Sequence, residues 1–74
     1  MDIGVLDKGE RFIVDWQYRL GGSFTTALAQ AIAAADTKNL ARLHLGFPDE
    51  VKAFVNFSTE DGWWENVQKK IGAK

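Results

Sequence analysis

The side chains best suited to nucleophilic or acid–base chemistry are His44, Ser23 and Ser58. A nucleophilic hydroxyl needs a general base beside it, and the base needs a third group that orients it. Both serines stand where helix-capping residues are expected, and a lone histidine on a helix is more often a surface residue than a catalyst. We therefore expect no catalytic residue and no enzymatic activity.

Two pairs of adjacent carboxylates, Asp49–Glu50 and Glu60–Asp61, are the remaining candidates for acid–base chemistry. Each pair stands at the predicted start of a helix, where acidic side chains interact favourably with the positive end of the helix dipole. Capping explains both pairs better than catalysis does.

Composition argues against several other kinds of site. The 74 residues include no Cys and one His, so we expect no disulfide, no metal and no cofactor. Nine basic and ten acidic side chains give a net charge of −1, which makes non-specific nucleic-acid binding unfavourable. No apolar run approaches the ~18 residues of a membrane span. These features predict a cytoplasmic protein.

Small size and aromatic side chains together favour a binding surface. A chain of this length buries only about 60% of the surface that its unfolded form exposes, so a partner subunit would add stability, and we expect a homo-oligomer. Trp63 and Trp64 are neighbours, and neighbours on a helix point about 100° apart, so one should be buried and the other partly exposed. Exposed Trp is common at interface hot spots. We predict Trp63, Trp64, Tyr18 and Phe57 as contact residues, with the Ala-rich surface of residues 27–35 as a second candidate.

The elements that position these residues are predicted to be four to five short helices in one all-α bundle. Residues 1–7 form an N-terminal arm, and residues 8–74 form a single helical domain. Asp7 and Glu10 have the spacing of a capping box before a first helix at residues 8–20, with Phe12, Ile13, Trp16 and Leu20 inward. Gly21–Gly22 ends that helix.

The second helix is predicted to begin after Ser23 as its N-cap. Its apolar positions share one face at 0, 4, 7, 8 and 11 residues, and they are Phe24, Leu28, Ala31, Ile32 and Ala35. Asp36 either caps a further helix or lies inside one long kinked helix over residues 24–45. Leu40 and Leu43 point inward in both readings.

The stretch "GFPDEV", residues 46–51, is predicted to be a joint between two helices. Gly46 suits the residue after a helix, and Pro48 suits the first turn of the next. Phe47 should pack on Val51 as a hydrophobic staple. The helix that follows carries Val51, Phe54 and Val55 inward, and "STED" caps the last helix, with Val67 and Ile71 inward and Gly72 at its end.

Residues 22–67 resemble a group of small, functionally uncharacterised proteins encoded in phages and prophages of Gram-positive bacteria. The matching stretches are "GSFTTALAQAIAAAD", "NLARLHLGFPDEVKAF" and "GWWENV". The group has no catalytic residues to transfer to this chain. The resemblance implies a phage accessory protein that acts by binding, either blocking a host or defence protein or sequestering a signalling molecule.

Three functions follow as expectations. The first is a non-enzymatic protein that inhibits a host or anti-phage defence protein by occupying its surface. The second is an oligomeric sponge for a small anionic signalling nucleotide, with helix N-termini and Arg11, Arg19 or Arg42 as anion contacts. The third is a helix-turn-helix DNA reader within "AIAAADTKNLARLHLG", with Thr37, Lys38, Asn39 and Arg42 outward, which the net charge disfavours.

Overall fold

A computed structural model describes residues 3–72. A short 3-10 helix, Ile3–Val5, precedes five α-helices: α1 (Lys8–Gln17), α2 (Gly22–Ala34), α3 (Thr37–Gly46), α4 (Pro48–Thr59) and α5 (Trp63–Lys70). No strand occurs within residues 3–72, and the prediction of a small all-α bundle is confirmed. The body is flattened, with extents of 36 × 26 × 17 Å. None of the helices in this range is long and apolar enough to cross a membrane.

Helix α4 is the hub of the bundle, since it contacts α1, α2, α3 and α5. Its closest partner is α1, and Gly9 makes the close approach possible. A Cβ atom at Gly9 would lie 2.6 Å from the carbonyl oxygen of Asp49 and 2.8 Å from the Cβ of Ala53. The two helices therefore pack with their backbones nearly in contact, and no larger side chain fits between them.

Buried side chains form two clusters. The larger joins α1, α2 and α4 and consists of Phe12, Ile13, Leu28, Ala29, Ile32, Val51 and Ala53. The smaller joins α1 to α5 through Val14, Val67 and Ile71, with Leu6 of the predicted arm half-buried against it. The inward positions predicted for Val67 and Ile71 are confirmed, whereas Val14 was not among the predicted inward residues.

The capping box of α1 is confirmed. The Asp7 carboxylate accepts the backbone N–H of Glu10 at 2.7 Å, and the Glu10 carboxylate accepts the backbone N–H of Asp7 at 3.0 Å. Glu10 is buried, and its other oxygen accepts a hydrogen bond from Lys70 Nζ at 2.5 Å. This bond raises the pKa of Lys70 above its ordinary value. The start of α1 is thereby tied to the end of α5.

The end of α1 differs from the prediction. The helix stops at Gln17, before Gly21–Gly22, and Arg19 takes the left-handed conformation with φ 58°. The N–H groups of Arg19 and Leu20 donate to the carbonyls of Trp16 and Asp15 at 3.3 and 2.8 Å. These bonds close a Schellman motif in the helix's last turn, so Leu20 leaves the helix and is exposed rather than inward.

The predicted start of α2 is wrong by two residues. Gly21 is the N-cap and makes no side-chain hydrogen bond, and Ser23 lies inside the first turn. Gly22, with φ 72°, allows the chain to turn directly into the helix. The open choice around Asp36 is resolved as two helices, because the Asp36 carboxylate accepts the N–H of Asn39 at 2.8 Å and caps α3.

A single residue joins α3 to α4, which changes the predicted joint. Gly46 is the last residue of α3 rather than the residue after it, and Phe47 caps both helices. A one-residue joint leaves no room for a separate left-handed glycine. Phe47 stands at the N-cap itself, and its carbonyl accepts the N–H of Val51 at 3.0 Å. The first-turn position of Pro48 is confirmed, as is that of the acidic pair that follows it.

The predicted cap at "STED" is also wrong. Ser58 and Thr59 belong to α4, and Glu60 caps its C-terminal end. Helix α5 begins after Gly62, whose φ of 82° turns the chain, and no side chain caps it. The predicted end of α5 is confirmed, because Gly72 is left-handed at φ 75° just after it.

Besides Leu20, three residues predicted to face inward are exposed. Phe24 is 65% exposed, Val55 is 39% exposed, and Ala31 is also exposed, while Ala29 and Ala53 are buried instead. Helix α2 is alanine-rich and apolar on several faces, so the spacing of its apolar residues does not fix which face turns inward. Its buried residues are Leu28, Ala29 and Ile32, whereas Ala27, Ala31 and Ala34 are exposed.

Candidate functional site

The structure brings the four predicted contact residues into one aromatic cluster. Ring centroids lie 6.0 Å apart for Tyr18 and Trp64, 5.7 Å for Phe57 and Trp64, and 6.5 Å for Phe57 and Trp63. Trp16 was not among the predicted contact residues, yet its ring lies 5.5 Å from that of Phe57. The end of α1, the end of α4 and the start of α5 supply these rings.

All members of the aromatic cluster are half-buried. The expectation of one buried and one partly exposed Trp is therefore wrong, because Trp63 and Trp64 are both half-buried and both pack against the two hydrophobic clusters. Neighbouring side chains at about 100° can both reach the seam between two clusters. Gln68 Nε2 donates to the Tyr18 hydroxyl at 3.3 Å and adds a polar contact at the edge.

The three arginines predicted as anion contacts do not line a common cavity. Arg11 lies within 3.9 Å of Asp15 one turn later on α1. Arg19 lines a hollow of about 520 Å³ with Ser23 and Thr26 at the start of α2. Arg42 lines a separate hollow of about 410 Å³ between α2 and α3. The alanine-rich surface of residues 27–35 borders both hollows.

The candidate catalytic residues also lie apart. His44 is exposed on α3, Ser23 is exposed on the first turn of α2, and Ser58 is exposed near the end of α4. Within residues 3–72, no group of three or more His, Cys, Asp or Glu side chains is placed to hold a metal ion.

An apolar groove that was not predicted from the sequence runs between α3 and α4. Its volume is about 400 Å³. Each helix contributes one stripe of side chains to its walls, and these are Thr37, Leu40, Ala41 and His44 from α3, and Val51, Lys52, Val55 and Asn56 from α4. The α3 residues recur at three, four and seven positions, which is one face of a helix. This spacing was the sequence feature from which the α3 wall of the groove could have been predicted.

Helix α3 is covered less completely than its neighbours. Of the five α-helices described, it is the one without a buried residue. Leu40 and Leu43 are half-buried, and Leu45 is 86% exposed. Of the apolar side chains of α3, Leu40 and Ala41 line the groove with α4, whereas Leu43 borders the hollow with α2.

The side chains predicted for DNA reading lie on different sides of α3. Thr37 faces the groove with α4, whereas Asn39 and Arg42 line the hollow with α2. A recognition helix presents its base-contacting residues on one face. This arrangement does not favour the helix-turn-helix hypothesis.

Comparisons with known proteins return nothing: no protein-family model, no curated protein and no solved structure matches this chain.

Proposed function

We propose that this protein is a non-enzymatic binding protein that engages a protein partner through the groove between α3 and α4. The observation that carries the proposal is the uncovered apolar surface of the groove, since Ala41 and Val55 line it and are exposed, and α3 has no buried residue. Apolar side chains that a small chain leaves uncovered beside a groove mark interaction surfaces in soluble proteins.

The groove is a stronger candidate than the aromatic cluster. Rings in the cluster pack on one another and on both hydrophobic clusters, so much of their apolar surface is already covered. Val55, by contrast, is 39% exposed and borders the groove. Trp63, Trp64, Tyr18 and Phe57 remain a proposed second contact surface, at the edge where their rings reach solvent.

The proposed setting is the cytoplasm of a Gram-positive host, where the protein inhibits a host or anti-phage defence protein. The resemblance of residues 22–67 to phage and prophage proteins supports this setting. A body of 74 residues with a groove for one partner suits inhibition by occupancy, since blocking a surface requires affinity and no chemistry.

Capture from a lysate of a Gram-positive bacterium, with groove variants, tests this proposal. The double variant A41Q/V55Q adds polar bulk at two exposed positions that line the groove. The matched control A33Q/V5Q makes the same two changes at exposed positions outside it. We expect the parent and the control to enrich the same protein and the groove variant to lose it. Enrichment by all three would count against the groove.

An anion-binding function is the second candidate, at the hollow beside Arg19. Three groups suited to an anion border it: the guanidinium of Arg19, the hydroxyl of Ser23 and the start of α2. A thermal-shift screen against nucleotides tests it, because a ligand that prefers the native state raises the melting temperature. The shift should disappear in Arg19→Gln and persist in Arg11→Gln.

A further inference from the structure

We infer that a cleft between α1 and α4 binds a small zwitterion, a molecule that carries one ammonium and one carboxylate group, as a free amino acid does. The cleft is a different site from the α3–α4 groove, although Lys52 and Asn56 border both. The inference is independent of the proposed protein partner. It depends on the size of the cleft and on the charges that line it.

The floor of the cleft is the closest approach of two helices. Gly9 of α1 and Ala53 of α4 line it, and both are buried. The cleft has a volume of about 220 Å³. Sites for drug-sized ligands are larger, at roughly 300–1,000 Å³. A molecule of the size of one amino acid therefore suits the cleft.

Charged side chains of both signs line the cleft in equal number. They are Asp7 and Lys8 at the start of α1, and Asp49 and Lys52 on α4. All four are exposed. None of the four belongs to either of the two salt bridges found within residues 3–72. The two ammonium groups and the two carboxylates are therefore available to a ligand.

This balance of charge selects the class of ligand. A purely anionic ligand would meet two carboxylates as well as two lysines, and a purely cationic ligand would meet two lysines as well as two carboxylates. A zwitterion can turn its carboxylate toward an ammonium group and its ammonium group toward a carboxylate, which avoids contacts between like charges. The neighbouring Glu10 and Lys70 do not alter the balance, because they are paired with each other and do not line the cleft.

Two further lining residues, Asn56 and Trp63, carry no charge. Asn56 lies two turns after Asp49 on α4, which corresponds to roughly 10 Å at 1.5 Å per residue. Both Asn56 and Trp63 are half-buried, and Trp63 packs against the larger hydrophobic cluster. An aromatic ring offers a large apolar surface to a ligand. We therefore expect an amino acid with an aromatic side chain to bind more tightly than free glycine.

Three probes with the same aromatic ring test the inference. L-Phenylalanine carries both charges, hydrocinnamate carries the carboxylate alone, and phenethylamine carries the ammonium group alone. Each is titrated into the full-length protein, and binding is followed by NMR at the backbone amides of Gly9 and Ala53 and at the indole of Trp63. We expect phenylalanine to bind with a Kd on the order of 1 mM, about fivefold more tightly than either analogue.

Matched neutralisations locate the binding site. Lys8→Gln and Asp49→Asn each remove one charge that lines the cleft, whereas Lys38→Gln and Asp61→Asn remove the same charges at exposed positions outside it. Each cleft variant should weaken phenylalanine binding about fivefold, and each control should leave it within about twofold. The analogues add a sign test, because Lys8→Gln should weaken hydrocinnamate and Asp49→Asn should weaken phenethylamine. Thermal melts verify that each variant is folded.

Three results would overturn the inference. These are binding of either analogue as tightly as phenylalanine, equal losses in the cleft and control variants, and the absence of saturable shifts up to about 20 mM phenylalanine. The groove variant A41Q/V55Q changes no residue that lines the cleft, so it should bind phenylalanine as the parent does. Failure of the zwitterion site is thereby distinguished from failure of the proposed partner groove.

Discussion

The two sides of α4 differ in how closely another helix approaches. Toward α1, Gly9 and Ala53 let the backbones come nearly into contact, and the side chains between them are buried. Toward α3, Val55 remains 39% exposed beside a groove of about 400 Å³. The absence of a side chain at Gly9 permits dense packing on the α1 side, whereas Gly46 of α3 has open space around it and makes no such close contact. One helix thus has a stabilising face and an accessible face.

The largest expected effect contrasts a core position with one on α3. Ile13 is fully buried, so Ile13→Ala should lower the free energy of unfolding by about 2–5 kcal/mol. Leu45→Ala removes a side chain that is 86% exposed, so it should change the free energy of unfolding by less than about 0.5 kcal/mol. Urea unfolding followed by Trp fluorescence measures both. A comparable loss for Leu45→Ala would indicate that the α3 surface is buried in solution.

Two glycines test the close approach of α1 and α4. A methyl group at Gly9 would clash with the backbone of Asp49, so Gly9→Ala should destabilise the protein by about 1–3 kcal/mol. Gly46 is helical with open space around it, and Gly46→Ala should stabilise by up to about 1 kcal/mol. Melting temperatures of the two variants should move in opposite directions. A shift in the same direction would contradict the predicted difference between the two sites.

The helix caps should differ in how far their loss spreads. Asp7→Ala and Asp36→Ala each remove a carboxylate that accepts a backbone N–H, a change that costs about 1 kcal/mol. The Asp7 cap belongs to the densely packed helix α1, so its loss should lower global stability. Loss of the Asp36 cap should mainly speed amide exchange within α3. Residue-resolved hydrogen exchange distinguishes a global from a local effect. Faster exchange across α1 and α4 in Asp36→Ala would contradict the prediction that loss of this cap acts mainly within α3.

The smallest effect concerns the link between α1 and α5. Because Glu10 raises the pKa of Lys70, their pairing contributes stability that is present below the ordinary lysine pKa of about 10.4. That contribution is lost as the pH rises through the raised pKa and Lys70 becomes neutral. Stability should therefore fall more steeply at alkaline pH in the parent than in Lys70→Met. Parallel pH profiles from thermal melts would show that the pair contributes nothing.

Local signals in the sequence were sufficient for much of the secondary structure. The Asp7–Glu10 capping box, Pro48 in the first turn of α4 and Gly72 after α5 each act within a few residues, and each was predicted correctly. Predictions failed at helix ends where the local sequence permits two different backbone conformations. Arg19 closes α1 in a conformation that usually favours glycine, and Gly46 remains helical because the next helix starts immediately.

The candidate sites depended more on tertiary packing. The four aromatic residues were chosen from the sequence, and the structure places them together, but Trp16 joins them because α1 packs against α4. The α3–α4 groove was missed because its walls come from two helices. Spacing within one helix does not reveal where its neighbour leaves a gap.

Residue type and short-range spacing decide that this chain forms short capped helices, because capping and turn conformations depend on groups a few residues apart. Packing decides which face of each helix is buried, because the surfaces that cover a helix come from residues distant in the chain. Contact between Gly9 of α1 and Ala53 of α4 buries that face of α4, whereas α3 has no buried residue. The exposed α3 surface, and the groove proposed as a binding site, follow from that choice between distant segments.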